Sequence, residues 1–291
     1  MSRVKNYITL IRPHQWIKNL FIFAPFFFGF HFSSANIKTL AIGFGIFCLS
    51  ASAVYILNDF LDVNEDRLHP TKRNRPLAAG NISKSSAMIV MLVILSVSIL
   101  GAYLLNRDFF YIILIYVVQN ILYSYKLKHI SILDISLIST GFVLRILAGA
   151  VLIQVQASVW IVLVTFLLSI FLALAKRRDD VLLSSKGTPS VRRNIDGYNL
   201  EFVNAGMILT SGMTICAYVL YTVQPEVMLR FGSNNVYLTS VFVIMGILRY
   251  MQITFVENNS GNPTLILLKD TFLQFVLLAW LLSFMIFFLN W

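Results

Sequence analysis

Long apolar segments constrain the fold of this chain more than any other feature of its sequence. Several approach the roughly 20 residues that a helix needs to cross a bilayer. Of the 291 residues, 58% are hydrophobic and only 12% are charged, a balance far from that of a soluble protein. We therefore predict an all-α polytopic membrane protein, with a single domain over residues 1–291 and nine transmembrane helices. The nine segments are 16–33, 37–57, 84–105, 109–125, 131–153, 158–175, 200–222, 235–256 and 270–290.

The 23 lysines and arginines are distributed unevenly over the connections between these segments. If the N-terminus shares one side with the connections after segments two, four, six and eight, that side carries 18 of the cations and the other carries three. Because cytoplasmic loops are rich in Lys and Arg, we expect a bacterial-type plasma-membrane protein with a cytoplasmic N-terminus and Trp291 outside. The net charge of +10 then reflects topology and anionic ligands rather than nucleic acid, since no soluble basic domain is present.

Four acids lie within eight residues in the connection after the second segment, which we take as a functional loop over residues 58–83. On a helix, Asn58, Asp62 and Asp66 share one face, and Asp59 lies three residues before Asp62. Carboxylates that close repel one another unless a cation neutralises them, and Mg2+ prefers carboxylate oxygens together with substrate phosphates. These four residues are the candidate catalytic residues, with Asn58, Asp62 and Asp66 as metal ligands. The alternative is a solvated loop of mixed charge at the membrane surface.

A basic run follows the acids directly. Pro70 and Pro76 should break the helix, so that Lys72, Arg73 and Arg75 lie in a loop. Carboxylates that hold Mg2+ beside cations that bind phosphate predict a diphosphate site. We interpret His69 as a turn residue or a hydrogen-bond donor near the site rather than as a base.

A second polar loop is predicted at about 176–199, after the sixth segment. It begins with Lys176, Arg177 and Arg178, which are either phosphate-binding residues or anchors at the lipid headgroups. Asp179 and Asp180 either add a metal contact or pair with the arginines.

Further cations lie near the predicted membrane boundary and inside the bundle. Lys126 and Lys128 follow tyrosines between segments four and five; they either reach the same anionic ligand or act as interface anchors. Lys18, which flanks the first segment, is a further phosphate-binding candidate. Arg145 lies 11 residues after Asp134 on one predicted helix, about 16 Å along its axis. At that depth Arg145 should face the interior and have an anionic partner, either Asp134 or a ligand phosphate.

The motif Asn58-Asp59-x-x-Asp62-x-x-x-Asp66 resembles the first signature of the UbiA superfamily of intramembrane prenyltransferases, which have nine transmembrane helices. Other stretches resemble its decaprenyl-phosphate phosphoribosyltransferase branch, and the likeness extends from about Arg12 to Asp270. They include Arg12-Pro13-His14-Gln15-Trp16-Ile17-Lys18-Asn19, Thr71-Lys72-Arg73-x-Arg75-Pro76, Leu127-Lys128-His129, Gly141-Phe142-Val143-Leu144-Arg145, Leu174-Ala175-Lys176-Arg177-Arg178, Gly197-Tyr198 and Gly261-Asn262-Pro263.

The resemblance implies a Mg2+-dependent transfer of 5-phosphoribosyl from phosphoribosyl diphosphate to a polyprenyl phosphate in the bilayer. Members that use prenyl diphosphates usually carry a second Asp-x-x-x-Asp motif after the sixth helix, whereas this chain has Lys176-Arg177-Arg178-Asp179-Asp180 there. That departure suits a donor with an additional 5-phosphate. The alternatives are prenyl transfer to an aromatic acceptor and, less favoured, transport of an anionic lipid, because transporters spread polar residues more widely through the bilayer depth.

Overall fold

The computed structural model describes residues 3–29, 31–68, 71–185, 197–259, 261 and 263–289. Helices and their connections make up these residues, and no strand occurs in the described ranges. The contact pattern divides the chain into two compact units, residues 1–158 and 159–291. The single domain over residues 1–291 stays a prediction.

The first unit contains the acidic stretch and most of the predicted site. Its α-helices are α1 (Arg3–Ile11), α2 (Ala24–Phe28), α3 (Ser34–Leu61), α4 (Val63–Leu68), α5 (Lys84–Leu105), α6 (Arg107–Tyr125) and α7 (Leu133–Leu152). Three 3-10 helices lie between them, at Pro13–Phe23, Lys72–Asn74 and Leu127–His129. Side-chain caps fix several starts: the Ser33 hydroxyl accepts from the Asn36 amide at α3, and Ser83 does the same for Ser86 at α5.

The second unit is built around one long helix that carries the basic cluster. Its α-helices are α8 (Val159–Ser185), α9 (Leu200–Thr222), α10 (Pro225–Phe231), α11 (Ser240–Phe255), α12 (Pro263–Lys269) and α13 (Thr271–Leu289), with a 3-10 turn at Val236–Thr239. Helices α12 and α13 meet at an angle of 85°. Arg249 of α11 holds this corner, because its Nε and Nη2 atoms donate to Asp270 Oδ2 at 3.1 and 2.7 Å.

The membrane character of the chain is confirmed. Among the described residues, seven helices are long and apolar enough to cross a bilayer, and an eighth results if the bent α12–α13 pair is counted as one span. Many outward-facing side chains on α5 and α13 are Leu, Ile or Val, as contact with lipid requires. The protein is therefore an all-α integral membrane protein, while the count of nine is not confirmed.

The number of spans differs from the predicted nine because of the first predicted segment, 16–33, which folds mainly as the 3-10 helix Pro13–Phe23. Its inward-facing side chains repeat every three residues: Trp16 donates from Nε1 to Ser52 Oγ at 3.0 Å, and Asn19 and Ile22 are buried. Gly149 of α7 permits the close approach of this helix, because a Cβ atom there would lie 1.9 Å from the Ile22 carbonyl oxygen.

Two predicted loops need correction or refinement. The loop predicted at 176–199 is wrong in its first part, because α8 continues to Ser185 and carries Lys176, Arg177 and Arg178 on a helix; residues 186–196 lie outside the described residues.

In the loop predicted at 58–83, α3 ends at Leu61 and α4 begins at Val63, yet the helical hydrogen bonds continue across the break. Asp62 N donates to Asn58 O at 3.0 Å and Asp66 N to Asp62 O at 2.8 Å. The predictions for His69 and Pro70 also lie outside the described residues.

Candidate functional site

The acidic residues predicted to share a helical face differ sharply in burial. Asp59, in the last turn of α3, is 2% exposed, and Asp66 of α4 is 2% exposed. The side chain of Asp62, at the break between the two helices, is 18% exposed. Because buried carboxylates require partners, the cations that contact them define the electrostatics of the site.

Arg75 links two of these carboxylates. Its Nη1 atom donates to Asp59 Oδ1 at 2.9 Å and to Asp66 Oδ2 at 2.6 Å. The side chain of Arg75 is 25% exposed, and its Nε and Nη2 atoms bond no other acceptor within the described ranges. One edge of the guanidinium is therefore anchored by protein, while the other edge has donors left for a ligand.

The loop after the 3-10 turn Lys72–Asn74 holds Arg75 in place. Leu77 and Ala78 are buried, and the amide of Ala79 donates to the Arg75 carbonyl at 2.8 Å. Gly80 has a φ of 74°, in the left-handed region that favours glycine. The loop is thus packed and hydrogen-bonded, although its composition alone suggests a flexible basic segment.

Asp62 pairs with a cation from a different connection. Lys128 Nζ bonds Asp62 Oδ1, and Asn58 Nδ2 donates to Asp62 Oδ2 at 3.1 Å. The structure therefore brings Lys128 to the acidic stretch, whereas Lys126 is exposed. Of the remaining loop cations, Lys72 is half-buried and Arg73 is exposed.

The predicted magnesium ligands fit the ion in type but are not gathered around one point. Asn58, Asp62 and Asp66 offer the hard oxygen atoms that Mg2+ prefers. Yet within the described part of the chain, no three His, Cys, Asp or Glu side chains are arranged to hold a metal, and the two aspartates contact Lys128 and Arg75. Binding of the ion would require these side chains to exchange cationic partners for the metal.

One residue of this site, Arg12, was not among the site residues predicted from the sequence. Its Nη2 atom bonds Asp59 Oδ1, and its guanidinium lies 5.3 Å from the centre of the Tyr55 ring. The residue also has a φ of 53°, unusual for a side chain other than glycine. A signal did exist in the sequence, since Arg12 belongs to the Arg12-Pro13-His14-Gln15-Trp16 stretch that carries the family resemblance.

Arg145 faces the interior of the first unit as predicted, but its contacts differ from those expected. It is 4% exposed and donates to Asn19 Oδ1 at 2.8 Å, to the Gly141 carbonyl at 2.7 Å and to Tyr116 Oη at 3.3 Å. Three rings surround the guanidinium at 5.0 to 5.3 Å, those of Phe47, Tyr116 and Phe142. Among the described residues its acceptors are uncharged, so Asp134, one of the two anionic partners considered for it, is not a partner there.

The basic cluster of the second unit is largely engaged within that unit. Arg177 Nη1 contacts Asp180 Oδ2 at 2.5 Å. Arg178 is 7% exposed; it donates from Nε to Asn204 Oδ1 at 3.0 Å and from Nη1 to the Thr254 carbonyl at 2.7 Å and Asn258 Oδ1 at 3.1 Å. Asp180 therefore pairs with an arginine, which confirms one of the two options considered for it. Lys176 is exposed.

Asp179 lies close to Gly261. A Cβ atom on Gly261 would lie 2.3 Å from Asp179 Oδ2, so glycine is needed for this contact. Gly261, from a stretch that carries the family resemblance, therefore lies beside Asp179.

Comparisons with known proteins agree with this architecture. The sequence model of the UbiA prenyltransferase family matches residues 20–195. A decaprenyl-phosphate phosphoribosyltransferase of Mycolicibacterium smegmatis is 30% identical over 289 residues, covering 96% of this chain and 91% of that protein. The protein of the same name from Corynebacterium glutamicum is 32% identical and covers 94% and 83%, respectively.

Solved structures with low sequence identity share the fold. A UbiA homologue of Archaeoglobus fulgidus bound to GPP and Mg2+ has a TM-score of 0.72 at 21% identity, covering 97% of this chain and 99% of that one. A digeranylgeranylglyceryl phosphate synthase has a TM-score of 0.68 at 18% identity and covers 98% of both chains.

Proposed function

Because the chain belongs to the UbiA prenyltransferase family, we propose that it transfers a 5-phosphoribosyl group from phosphoribosyl diphosphate to a polyprenyl phosphate and releases diphosphate. The observation that carries this proposal is the similarity to relatives named decaprenyl-phosphate phosphoribosyltransferase over more than nine-tenths of the chain. The reaction class is a pentosyl transfer to a membrane lipid. We also propose that the N-terminus and the site face the cytoplasm, because the side of the membrane that holds them carries the excess of Lys and Arg.

Asn58, Asp62 and Asp66 are the residues that would hold Mg2+. The ion would supply charge neutralisation for the diphosphate leaving group. Support comes from the oxygen chemistry of these side chains and from the fold neighbour that is bound to Mg2+ together with GPP. Since Asp62 and Asp66 also contact Lys128 and Arg75, those two cations lie where a diphosphate oxygen would come close to them.

Arg75 is the leading candidate for direct contact with the diphosphate. Its anchored Nη1 edge fixes the side chain, so that binding through Nε and Nη2 costs little further side-chain ordering. The neighbouring half-buried Lys72 and exposed Arg73 would add positive charge around the leaving group.

The acceptor needs no strong base in this reaction. A phosphate monoester is already an anion near neutral pH, so one of its oxygens attacks ribose C1 directly. A new C1–O bond forms as the bond between C1 and the diphosphate oxygen breaks, and the electron pair leaves with the diphosphate. The work of the protein is therefore positioning and electrostatic stabilisation.

Two sets of cations are candidates for the other phosphates of the substrates. In the first unit, Lys18 is next to Asn19, which bonds the buried Arg145; Lys18 has no hydrogen bond or ion pair within the described residues. In the second unit, Lys176 is exposed to solvent, whereas Arg178 is only 7% exposed and bonds three protein acceptors. We therefore assign phosphate contact to Lys18 and Lys176 before Arg178, with Arg177, Lys126 and Arg145 as secondary candidates.

Prenyl transfer from a prenyl diphosphate is the second candidate, favoured by the likeness to fold neighbours bound to GPP and DMAPP. Mass spectrometry of the lipid product decides between the two. Purified protein is incubated with Mg2+, a polyprenyl phosphate and phosphoribosyl diphosphate, and in parallel with a prenyl diphosphate and aromatic acceptors. We expect a phosphoribosylated lipid only in the first reaction. Prenylated product alone would replace the proposed function with prenyl transfer.

A further inference from the structure

Arg12 adopts a backbone conformation that its sequence position disfavours. It has φ 53° and ψ 59°, and it directly precedes Pro13, which restricts the preceding residue to extended conformations. A side chain other than glycine is held in such a conformation only when surrounding contacts over-determine it, and such residues cluster at functional sites. At Arg12 these contacts are the Asp59 carboxylate and the Tyr55 ring.

Asp59 joins three parts of the first unit at one oxygen atom. Its Oδ1 atom accepts from Arg12 Nη2, which comes from the N-terminal segment, and from Arg75 Nη1, which comes from the loop after α4. Asp59 itself belongs to the last turn of α3 and is buried. A carboxylate in this position orders both guanidinium groups, since moving either one leaves a buried charge with less compensation.

Asp59 also differs from its neighbours in what it can offer a metal. The predicted ligands Asn58, Asp62 and Asp66 are spaced four residues apart, whereas Asp59 lies outside that spacing. Arg12 and Arg75 both contact its Oδ1 atom, so the carboxylate is engaged with two arginines at once. Its chemistry is that of an anchor for cations.

From this geometry we propose that Arg12 is a positioning residue: through Asp59 it fixes the guanidinium of Arg75, whose Nε–Nη2 edge binds the diphosphate of the donor. The proposal rests on the function proposed above only in requiring a diphosphate donor, and it holds for a ribosyl or a prenyl diphosphate alike. Arg12 need not touch the substrate. Its removal lets Arg75 move relative to Asp66 and weakens the binding of diphosphate.

The test measures binding rather than turnover. Full-length protein in nanodiscs is titrated with inorganic diphosphate in excess Mg2+ by isothermal calorimetry, so the result does not depend on which group the enzyme transfers. We expect Arg12→Gln to weaken diphosphate binding about tenfold or more, since a charge-assisted contact that orders Arg75 is lost. Arg12→Lys should recover part of the affinity, because an ammonium pairs with Asp59 but lacks the planar fork.

Two controls separate positioning from simple anchoring of the N-terminal segment. Trp16→Phe removes the hydrogen bond to Ser52, which ties the same 3-10 helix to α3 without involving Asp59, and it should leave diphosphate affinity unchanged. Arg107→Gln removes an exposed cation elsewhere in the unit and should also have no effect. If Trp16→Phe weakens binding as much as Arg12→Gln, segment anchoring explains the effect and the proposal fails.

The double variant tests the route through Asp59. Asp59→Asn already releases Arg75, so adding Arg12→Gln should weaken binding little further. Independent, multiplying effects would mean that Arg12 acts by another route and would overturn the proposal. If Arg12→Gln does not fold, Arg12→Lys decides: affinity equal to that of the unmodified protein excludes a role for the guanidinium. Absence of ribosyl product with normal diphosphate binding refutes only the proposed function.

Discussion

Replacing Arg178 with alanine should destabilise the second unit rather than change substrate binding. From the sequence, Arg178 is grouped with Lys176 and Arg177 as either phosphate-binding residues or anchors at the lipid headgroups, and loss of a phosphate ligand would raise the KM for a substrate. In the structure, however, Arg178 Nη1 donates to the carbonyl of Thr254, one residue before the end of α11. The last carbonyls of a helix lack partners within the helix, and a cation there also interacts favourably with the helix dipole.

The expected loss of stability in Arg178→Ala follows from these contacts. Alanine removes a buried cation and leaves three acceptors, on Asn204, Thr254 and Asn258, without this donor. Hydrogen bonds to charged groups contribute about 1.5–3 kcal/mol each, but the three share one guanidinium and are not additive, so we expect a loss of about 3 kcal/mol. At about 2–4 °C per kcal/mol, the unfolding midpoint should fall by roughly 6–12 °C.

Thermal unfolding of the detergent-solubilised protein, scanned at one fixed rate, provides the measurement. Arg230→Ala is the matched control, since Arg230 is an exposed arginine of the same unit, and its midpoint should stay close to that of the unmodified protein. Kinetics at a temperature where both variants are folded should show normal KM values for both substrates in Arg178→Ala. A normal unfolding midpoint combined with a KM raised tenfold or more would refute the structural role of Arg178 and support phosphate binding by this residue instead.

Three further predictions follow from the first unit. Asp62→Ala and Asp66→Ala should each abolish turnover with little change in membrane insertion, and excess EDTA should do the same to the unmodified enzyme; turnover that survives would remove Mg2+ from the proposed chemistry. Arg75→Lys should raise the KM for the donor about tenfold to hundredfold with a smaller effect on the acceptor, because an ammonium that bonds both carboxylates has one donor left and cannot offer a diphosphate the two donors of a guanidinium edge; an unchanged donor KM argues against diphosphate contact. Gly149→Ala should lower the unfolding midpoint by several degrees, about 1–3 kcal/mol of overpacking, since the added Cβ would lie 1.9 Å from the Ile22 carbonyl; an unaltered midpoint would show that the 3-10 helix can shift freely.

Most of the helices could be predicted from the length of their apolar segments. The predicted segment 84–105 matches α5 (Lys84–Leu105), and 200–222 matches α9 (Leu200–Thr222). Long apolar runs leave few alternatives in a bilayer, where every backbone group must be bonded within the segment. The end of α8 could not be placed in the same way, because five consecutive charged residues look like a loop. They continue the helix because Arg177 and Arg178 find partners inside the unit.

The candidate site was only partly visible in the sequence. Helical spacing correctly predicts that Asn58 and Asp62 meet, since Asn58 Nδ2 donates to Asp62 Oδ2. The pairings of Asp59 with Arg12 and of Asp62 with Lys128 join residues 47 and 66 positions apart, and no local pattern encodes such a distance. The partners of Arg145 were missed for a related reason: the Phe47 and Tyr116 rings and the Asn19 amide oxygen, which come from other elements, stabilise it in place of a carboxylate.

The 3-10 helix Pro13–Phe23 has a consequence for how this part of the chain can change in length. A 3-10 helix has three residues per turn, so one inserted residue rotates the rest of the helix by about 120°. The inward-facing column of side chains, which contains Trp16, Asn19 and Ile22, would then be replaced by side chains that face outward. An insertion between Trp16 and Asn19 would therefore turn Asn19 away from Arg145 and Ile22 away from Gly149. Insertions or deletions of three residues would keep the column in register. Relatives that differ in length here should differ by whole turns, and engineered spacers should follow the same rule.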